Sequence, residues 1–187
     1  MKAKQRIFFT SDEHFGHYSI IKYENRPFTN INTMQNTIIN NWNKQVRHKD
    51  IVYCLGDFAF LSKEKVKDIL KLLNGYKILV LGNHDKSHSI QWWYDVGFNE
   101  VYKYPILLNE FIILSHEPVS YMNVNSPYVN IHGHVHNSPN YPTMTTNSCN
   151  VCVERWNYSP VSLNAIKKEI LKLNNKLYET IINFKPN

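Results

Sequence analysis

The apolar positions fall in short runs that alternate with helical faces. Arg6-Ile7-Phe8-Phe9-Thr10 is a brief apolar run that stops at Ser11-Asp12, and Met34, Ile38, Trp42 and Val46 then recur every four residues, the spacing of one helix face. A second buried run, 50–57 (DIVYCLGD), ends in Gly-Asp. The segment 62–75 opens on Ser62 as N-cap, carries Val66, Ile69, Leu70 and Leu73 on one face and closes at Gly75. Residues 76–85 (YKILVLGNHD) predict a third buried strand, and 89–97 (SIQWWYDVG) a further helix. From Glu100 the texture changes to consecutive strands, 100–109 and 110–118, predicted to form a hairpin turning at Asn109-Glu110. Residues 119–127 read as loop, 128–136 (YVNIHGHVH) as a strand ending in polar residues, 138–147 as turn-rich, 149–154 as strand-like and 162–173 as helix. Strands alternating with helices predict an α/β chain.

The polar residues matter because of where they sit. Five apolar runs each end, on the carboxyl side, in residues able to bind a metal: Asp12-Glu13-His14, Asp57, Asn83-His84, His116, and His134-Val135-His136. In open sheets, functional groups gather beyond the carboxyl ends of the strands, where loops converge on a rigid scaffold. Of the 9 histidines, only His48 and His88 lie away from these ends, whereas 14, 17, 84, 116, 132, 134 and 136 lie at them. Asp12 and His14 are two apart, as are His134 and His136, so in extended chain each pair would share a face and could reach one ion or two adjacent ones. A mixed set of Asp, His and Asn suits Mn, Fe, Zn or Ni better than a thiolate-rich structural zinc site would. Cys54, Cys149 and Cys152 are therefore expected to be bystanders. The set exceeds what one ion needs, which implies two ions about 3.5–4 Å apart that share a carboxylate. Burying so many charges with no ion would be very costly.

The ordered series Asp12-x-His14, Gly56-Asp57, Gly82-Asn83-His84-Asp85, Ser115-His116 and Gly133-His134-x-His136 resembles the calcineurin-like metallophosphoesterase superfamily, and most of all its small single-domain bacterial and phage members. The stretch 11–28 (SDEHFGHYSIIKYENRPF) adds to the likeness, which spans roughly residues 7 to 160. The resemblance implies a four-layer αββα sandwich of two mixed sheets with helices outside. It assigns Asp12, His14 and His136 to one metal, Asn83, His116 and His134 to the other, and Asp57 to the bridge. It makes His84 the imidazole beside the scissile phosphate, oriented by Asp85, with Gly82 letting the backbone turn. The implied activity is hydrolysis of phosphate esters, diesters slightly ahead of monoesters, by a hydroxide formed from water shared between two divalent ions, Mn(II) first among them.

Several neighbours carry open alternatives. His17 either approaches the phosphate or caps the following segment. Arg26 either clamps a substrate phosphate by a bidentate contact or anchors the turn before Pro27. His132 is expected to support the ligands from behind or to lie at the surface, and Glu13 to point away from Asp12 and His14. Only 31 residues separate His84 from His116 and 17 separate His116 from His134, which leaves little room for a large cap over the site.

Composition narrows the rest. With 187 residues, 43% of them hydrophobic, the chain is expected to form one domain over 1–187. No secretory leader and no apolar span of membrane length is visible, and three cysteines are too few for a disulfide framework, so a soluble cytoplasmic protein without a membrane partner is expected. A net charge of +6 suits a phosphate-bearing partner such as a nucleotide. The 21 basic residues are scattered, and no basic groove interleaved with aromatics marks a nucleic-acid site. A nuclease using the same metal centre, or a metal-binding scaffold without activity, are the competing readings.

Overall fold

The computed structural model describes residues 5–119 and 127–182, with side chains as far as 174. The chain runs β1 (Ile7–Thr10), α1 (Ile20–Tyr23), α2 (Ile31–Gln45), β2 (Ile51–Cys54), α3 (Lys63–Leu72), β3 (Tyr76–Val80), α4 (Ile90–Val96), β4 (Glu100–Tyr102), β5 (Ile106–Leu108), β6 (Ile112–Ser115), β7 (Val129–His132), β8 (Ser148–Asn150), β9 (Val161–Ser162) and α5 (Leu163–Ile182), with 3-10 turns at Asp85–Ser87 and Val153–Trp156. Two mixed sheets flanked by helices result. The first has the order β4-β3-β2-β1-β9, the second β5-β6-β7-β8. All pairings in the first are parallel except β1 with β9, and all in the second are parallel except β5 with β6.

Alternation along the strands builds two cores. Phe8, Val52, Cys54 and Leu79 face Met34, Ile38 and Trp42 of α2, Val66, Ile69 and Leu70 of α3 and Trp93 and Val96 of α4. Phe9, Tyr53, Ile78 and Val80 face the other way and meet Leu114, Ile131 and Cys149 of the second sheet, together with Ile166 of α5. One side chain in two goes to each core, as the period of a strand requires. Helix α2 starts cleanly because the Asn30 side chain accepts the Thr33 N–H at 2.9 Å, which satisfies one of the free donors of the first turn.

Several sequence-based boundaries shift. The predicted strand 100–109 is two strands in different sheets. β4 joins β3 and β5 joins β6, with Pro105, which has no N–H to give a ladder, in the gap between them. The hairpin itself forms, and Asn109 and Glu110 turn it with φ of 51° and 62°. The helix expected over 62–75 stops at Leu72, and Gly75, at φ 95°, leads into β3. The strand expected over 149–154 ends at Asn150. The strands ending near the site are shorter than predicted, β2 stopping at Cys54 and β7 at His132, so the polar residues that follow them lie on loops. Of the predicted loop 119–127, residues 120–126 lie outside the described residues.

Candidate metal centre

In register, Thr10 stands beside Cys54 and Cys54 beside Leu79, so the chain leaves β1, β2 and β3 at a common edge. Ser115 stands beside His132 in the second sheet, and Gly133 donates its N–H to the His116 carbonyl at 2.9 Å. The loops from both sheets converge there. Asp12, His14, Asp57, His134 and His136 all take left-handed backbone conformations, with φ of 61°, 53°, 56°, 70° and 42°. Non-glycine residues pay about 1–2 kcal/mol for that region, and a cluster of five marks a place where function sets the backbone. The extended-chain argument for the pairs 12/14 and 134/136 is thereby corrected. Each pair converges because its loop coils, not because strand alternation puts both on one face.

Two sets of lone pairs face each other. In the first, His136 Nε2 lies 3.5 Å and His14 Nε2 3.8 Å from Asp12 Oδ1, and both Asp12 Oδ1 and His14 Nε2 are buried without a hydrogen bond among the described residues. In the second, Asn83 Oδ1 lies 2.9 Å from His116 Nε2 and 3.1 Å from His134 Nδ1, and the two ring nitrogens are 3.1 Å apart. His116 Nδ1 lies 2.8 Å from the Leu55 carbonyl, which can only accept, so its proton sits there and Nε2 presents a bare lone pair to the cluster. Asp57 Oδ2 lies between the sets, 3.7 Å from His14 Nε2 and 3.5 Å from His116 Nε2. Donor groups of Asp12, His14 and His136, and again of Asp12, Asp57 and His116, fall within 4.8 Å of one another. Carboxylate, imidazole and amide groups gathered at this spacing, with Asp12 Oδ1 and His14 Nε2 buried and unpaired among the described residues, suit a borderline divalent cation.

Glycine makes the crowding possible by close approach. A Cβ on Gly82 would run into Asp57 Oδ1 and the Asp57 backbone nitrogen, and one on Gly133 into Ser11 Oγ and Asp12 Oδ2. Gly82 has no positive φ, so its role is room for Asp57 rather than a special turn.

The electrostatics are those of a site that attracts positive charge. Burial alone would raise the Asp12 carboxyl, but the His14 imidazole beside it and the neighbouring His136 hold it well below the carboxylate range. Its Oδ2 accepts from Ser11 Oγ at 2.6 Å, from the His134 N–H at 2.9 Å and from the Cys152 thiol at 3.2 Å. Burial would likewise lower His136, yet the Glu154 hydrogen bond and Asp12 push it up to about 9. His14 is lowered by burial.

The neighbours are placed as follows. The His84 side chain is 49% exposed, with Nε2 3.8 Å from Asp57 Oδ2, its ring against Phe60 and His14, and its backbone N–H bonded to Asp57 Oδ1 at 3.0 Å. Asp85 does not orient that imidazole. Its carboxylate accepts the backbone N–H groups of Asp57, Phe58 and Gly82 at 2.7, 3.1 and 2.8 Å, and so locks two ligand-bearing loops together. Burial pushes it up to about 6. His17 stacks on Phe60 and brings Nδ1 to 3.1 Å from His14 Nδ1, beside the first set. The Arg26 side chain is fully buried, which removes the phosphate-clamp alternative: it faces inward to Glu154 and to the carbonyls of Asp12 and Glu13. His132 is buried rather than at the surface, with Nδ1 3.0 Å from the Gly133 carbonyl. Glu13 is buried against Thr10, and burial pushes it up to about 8. Cys54 and Cys149 belong to the cores, while the Cys152 thiol touches a candidate ligand and is no simple bystander.

Sequence reasoning passed over Glu154, Ser11 and Phe60. Glu154 sat inside a segment read as a strand, where it carried no motif, and Phe60 was one aromatic among many.

The geometry has counterparts. An uncharacterised protein of Methanocaldococcus jannaschii is 42% identical over 177 residues, covering 91% of this chain and 94% of that one. The gene 66 protein of Mycobacterium phage D29 is 36% identical over 87 residues, 45% of this chain and 42% of the phage protein. The crystal structure of a protein of unknown function from Aquifex aeolicus superposes with a TM-score of 0.68 at 29% identity, covering 89% of this chain and all of that one. The family profile of calcineurin-like phosphoesterases matches residues 5–176, the whole stretch that builds the two sheets and both ligand sets. The chain belongs to the calcineurin-like phosphoesterase family.

Proposed function

We propose that this protein hydrolyses phosphate esters with a two-ion centre. Asp12, His14 and His136 would hold one ion, Asn83, His116 and His134 the other, and Asp57 would be shared. One observation supports this above the rest: Asn83 Oδ1, His116 Nε2 and His134 Nδ1 converge at 2.9–3.1 Å, with the lone pair of His116 Nε2 turned toward the others by the Leu55 carbonyl on Nδ1, so that three ligand-type atoms meet at one point beside Asp57. Divalent ions at these places supply acidified water and offset the charge of a phosphate. Mn(II) is the first candidate, with Fe, Zn and Ni compatible with the same ligands.

The chain's own residues do the rest. His84 projects from the rim of the centre, half exposed, with its position fixed through its backbone bond to Asp57. An imidazole there can hold a proton against the leaving oxygen and give it up as the ester bond breaks. Asp85 keeps the 57 and 82–84 loops in mutual register, so that the shared carboxylate and the imidazole keep a fixed offset. His17 lies close enough to the first ligand set to contact a substrate phosphate from that side. Phosphodiesters are favoured over monoesters, because the short spans around His116 leave little room for a large cap that would select small substrates. Among the described residues no helix is long and apolar enough to cross a membrane.

The test is a substrate panel run with manganese: nitrophenyl phosphate, bis-nitrophenyl phosphate, cyclic nucleotides and a single-stranded oligonucleotide. The reading expects the bis-nitrophenyl diester to be cleaved faster than the monoester. Fast cleavage of the oligonucleotide alone would move the assignment to a nuclease. No turnover of any substrate by a protein carrying both ions would leave a metal-binding scaffold.

A further inference from the structure

Behind His136 lies a buried ion pair that the assigned ligands do not explain. The Arg26 guanidinium donates to Glu154 Oε1 through Nε at 2.9 Å and Nη2 at 2.6 Å, and the same oxygen lies 3.0 Å from His136 Nδ1. The Arg26 and Glu154 side chains are 0% and 4% exposed. Two charges taken this far from water are costly and seldom repay that cost in stability alone. They are placed to act on the first ligand set. A carboxylate accepts only, so Glu154 accepts a hydrogen bond from His136 Nδ1–H and leaves Nε2, the nitrogen facing Asp12, as the one that would give up its proton to an ion. Two further donors of the same guanidinium go to the loop carrying the other two ligands, Nη2 to the Asp12 carbonyl at 2.7 Å and Nη1 to the Glu13 carbonyl at 3.0 Å, and Nη1 also reaches Met34 Sδ at 3.3 Å. One buried pair thus orients the His136 ring and holds the backbone at Asp12 and Glu13, across 128 residues of sequence.

We propose that Glu154 is a positioning residue for the ion held by Asp12, His14 and His136, with Arg26 tying its carboxylate to the loop that carries Asp12. The proposal rests on the metal-centre reading above. It also predicts an asymmetry. His116, in the second set, is oriented by the neutral Leu55 carbonyl, so loss of Glu154 should weaken one ion position and spare the other.

The experiment measures binding of Mn(II) to the chelated full chain by calorimetry and electron paramagnetic resonance, with melting of the metal-free protein as a folding control. Glu154→Ala should lose about 10- to 100-fold in affinity at one of two positions, the range for removing a ligand's supporting partner. Glu154→Gln keeps an oxygen where Oε1 lies but drops the charge, so it should lose less than the alanine variant. Glu24→Gln is the second arm: Glu24, His136 and Glu154 also bring donor atoms within 4.8 Å of one another, so a loss in that variant as large as in Glu154→Ala would make Glu154 a ligand of that group and overturn the positioning role, whereas a smaller loss is what the proposal expects. Wild-type affinities in Glu154→Ala, or equal losses at both positions together with a lowered apo melting temperature, would overturn the positioning role. If Glu154→Ala does not fold, Glu154→Gln carries the test, and unchanged affinity at both positions in that variant overturns it. A wild type that binds no ion would overturn the metal centre as well, whereas one that binds two ions without cleaving esters would overturn the proposed activity and leave the proposal standing.

Discussion

Replacing His84 by alanine separates chemistry from structure more cleanly than any change to a ligand. The ring is half exposed and packs on Phe60 and His14, and among the described residues it makes no hydrogen bond. The part of His84 that matters to the architecture is its backbone N–H on Asp57 Oδ1, which alanine retains. The stability cost should stay within about 1 kcal/mol, as for other surface changes. Both ions should remain bound, because no lone pair of His84 belongs to either set. Turnover should fall by about 10²- to 10⁴-fold, which is about 2.7–5.4 kcal/mol of lost transition-state stabilisation. The assay compares wild type and variant on bis-nitrophenyl phosphate and on a nucleotide diester with an alkoxide leaving group. Nitrophenolate leaves without a proton, so the loss should shrink for the first substrate and stay large for the second. Equal losses on both would refute the general-acid role and leave His84 as an electrostatic or positioning group. A variant that had shed an ion would show that His84 is a ligand.

Asp57→Asn should empty the centre more completely than Asn83→Ala, since Asp57 Oδ2 stands between the sets whereas the Asn83 amide serves one; metal analysis after desalting decides it, and equal stoichiometry in the two variants would remove Asp57 from the shared position. Gly82→Ala puts a methyl group against the Asp57 carboxylate and backbone, neither of which can retreat, so melting should fall by an amount equivalent to about 1–3 kcal/mol and metal content with it; a variant that melts and binds ions like wild type would contradict the close-approach argument. Asp50, at the far end of the first sheet, accepts from Arg6 and from the Arg47 N–H. Burial would raise its carboxyl, but the Arg6 hydrogen bond and charge hold it below the usual value, so its contribution is present above about pH 4 and is lost as pH falls through the lower folded value. Asp50→Asn should therefore cost about 1.5–3 kcal/mol at neutral pH, and the gap to wild type in urea melts should close toward pH 2; a gap that persists there would assign the loss to packing.

How much of this was legible in the sequence depends on whether the signal was local. The apolar runs, the helical face of Met34, Ile38 and Trp42 and the polar strand ends are set by neighbours in the chain, and they located most strands and the loops that carry Asp12, Asp57, Asn83, His116 and His134, but not β9 or the turn that carries Glu154. Boundaries failed where a local rule met tertiary demands. Pro105 divides an apparently continuous strand between two sheets, and the ligand pairs adopt left-handed backbone that no alternation rule anticipates. Asp85 was read through its neighbour His84, but its carboxylate reaches instead to backbone donors up to 28 residues away. Glu154 was invisible because its meaning comes from Arg26, 128 residues distant, and from the partly buried ring of His136. Side chains that act on other side chains leave no period in the sequence.

A two-ion centre on which activity depends is tested by titrating exhaustively chelated protein with Mn(II) and following bound metal per chain and hydrolysis of bis-nitrophenyl phosphate in the same sample. Metal-free protein should show no hydrolysis, binding should saturate at about two ions per chain as the paired ligand sets require, and activity should rise with the second. Magnesium should restore less, because imidazole ligands suit softer ions. Full activity in verified metal-free protein, or saturation of binding and activity together at a single ion, would contradict the two-ion centre.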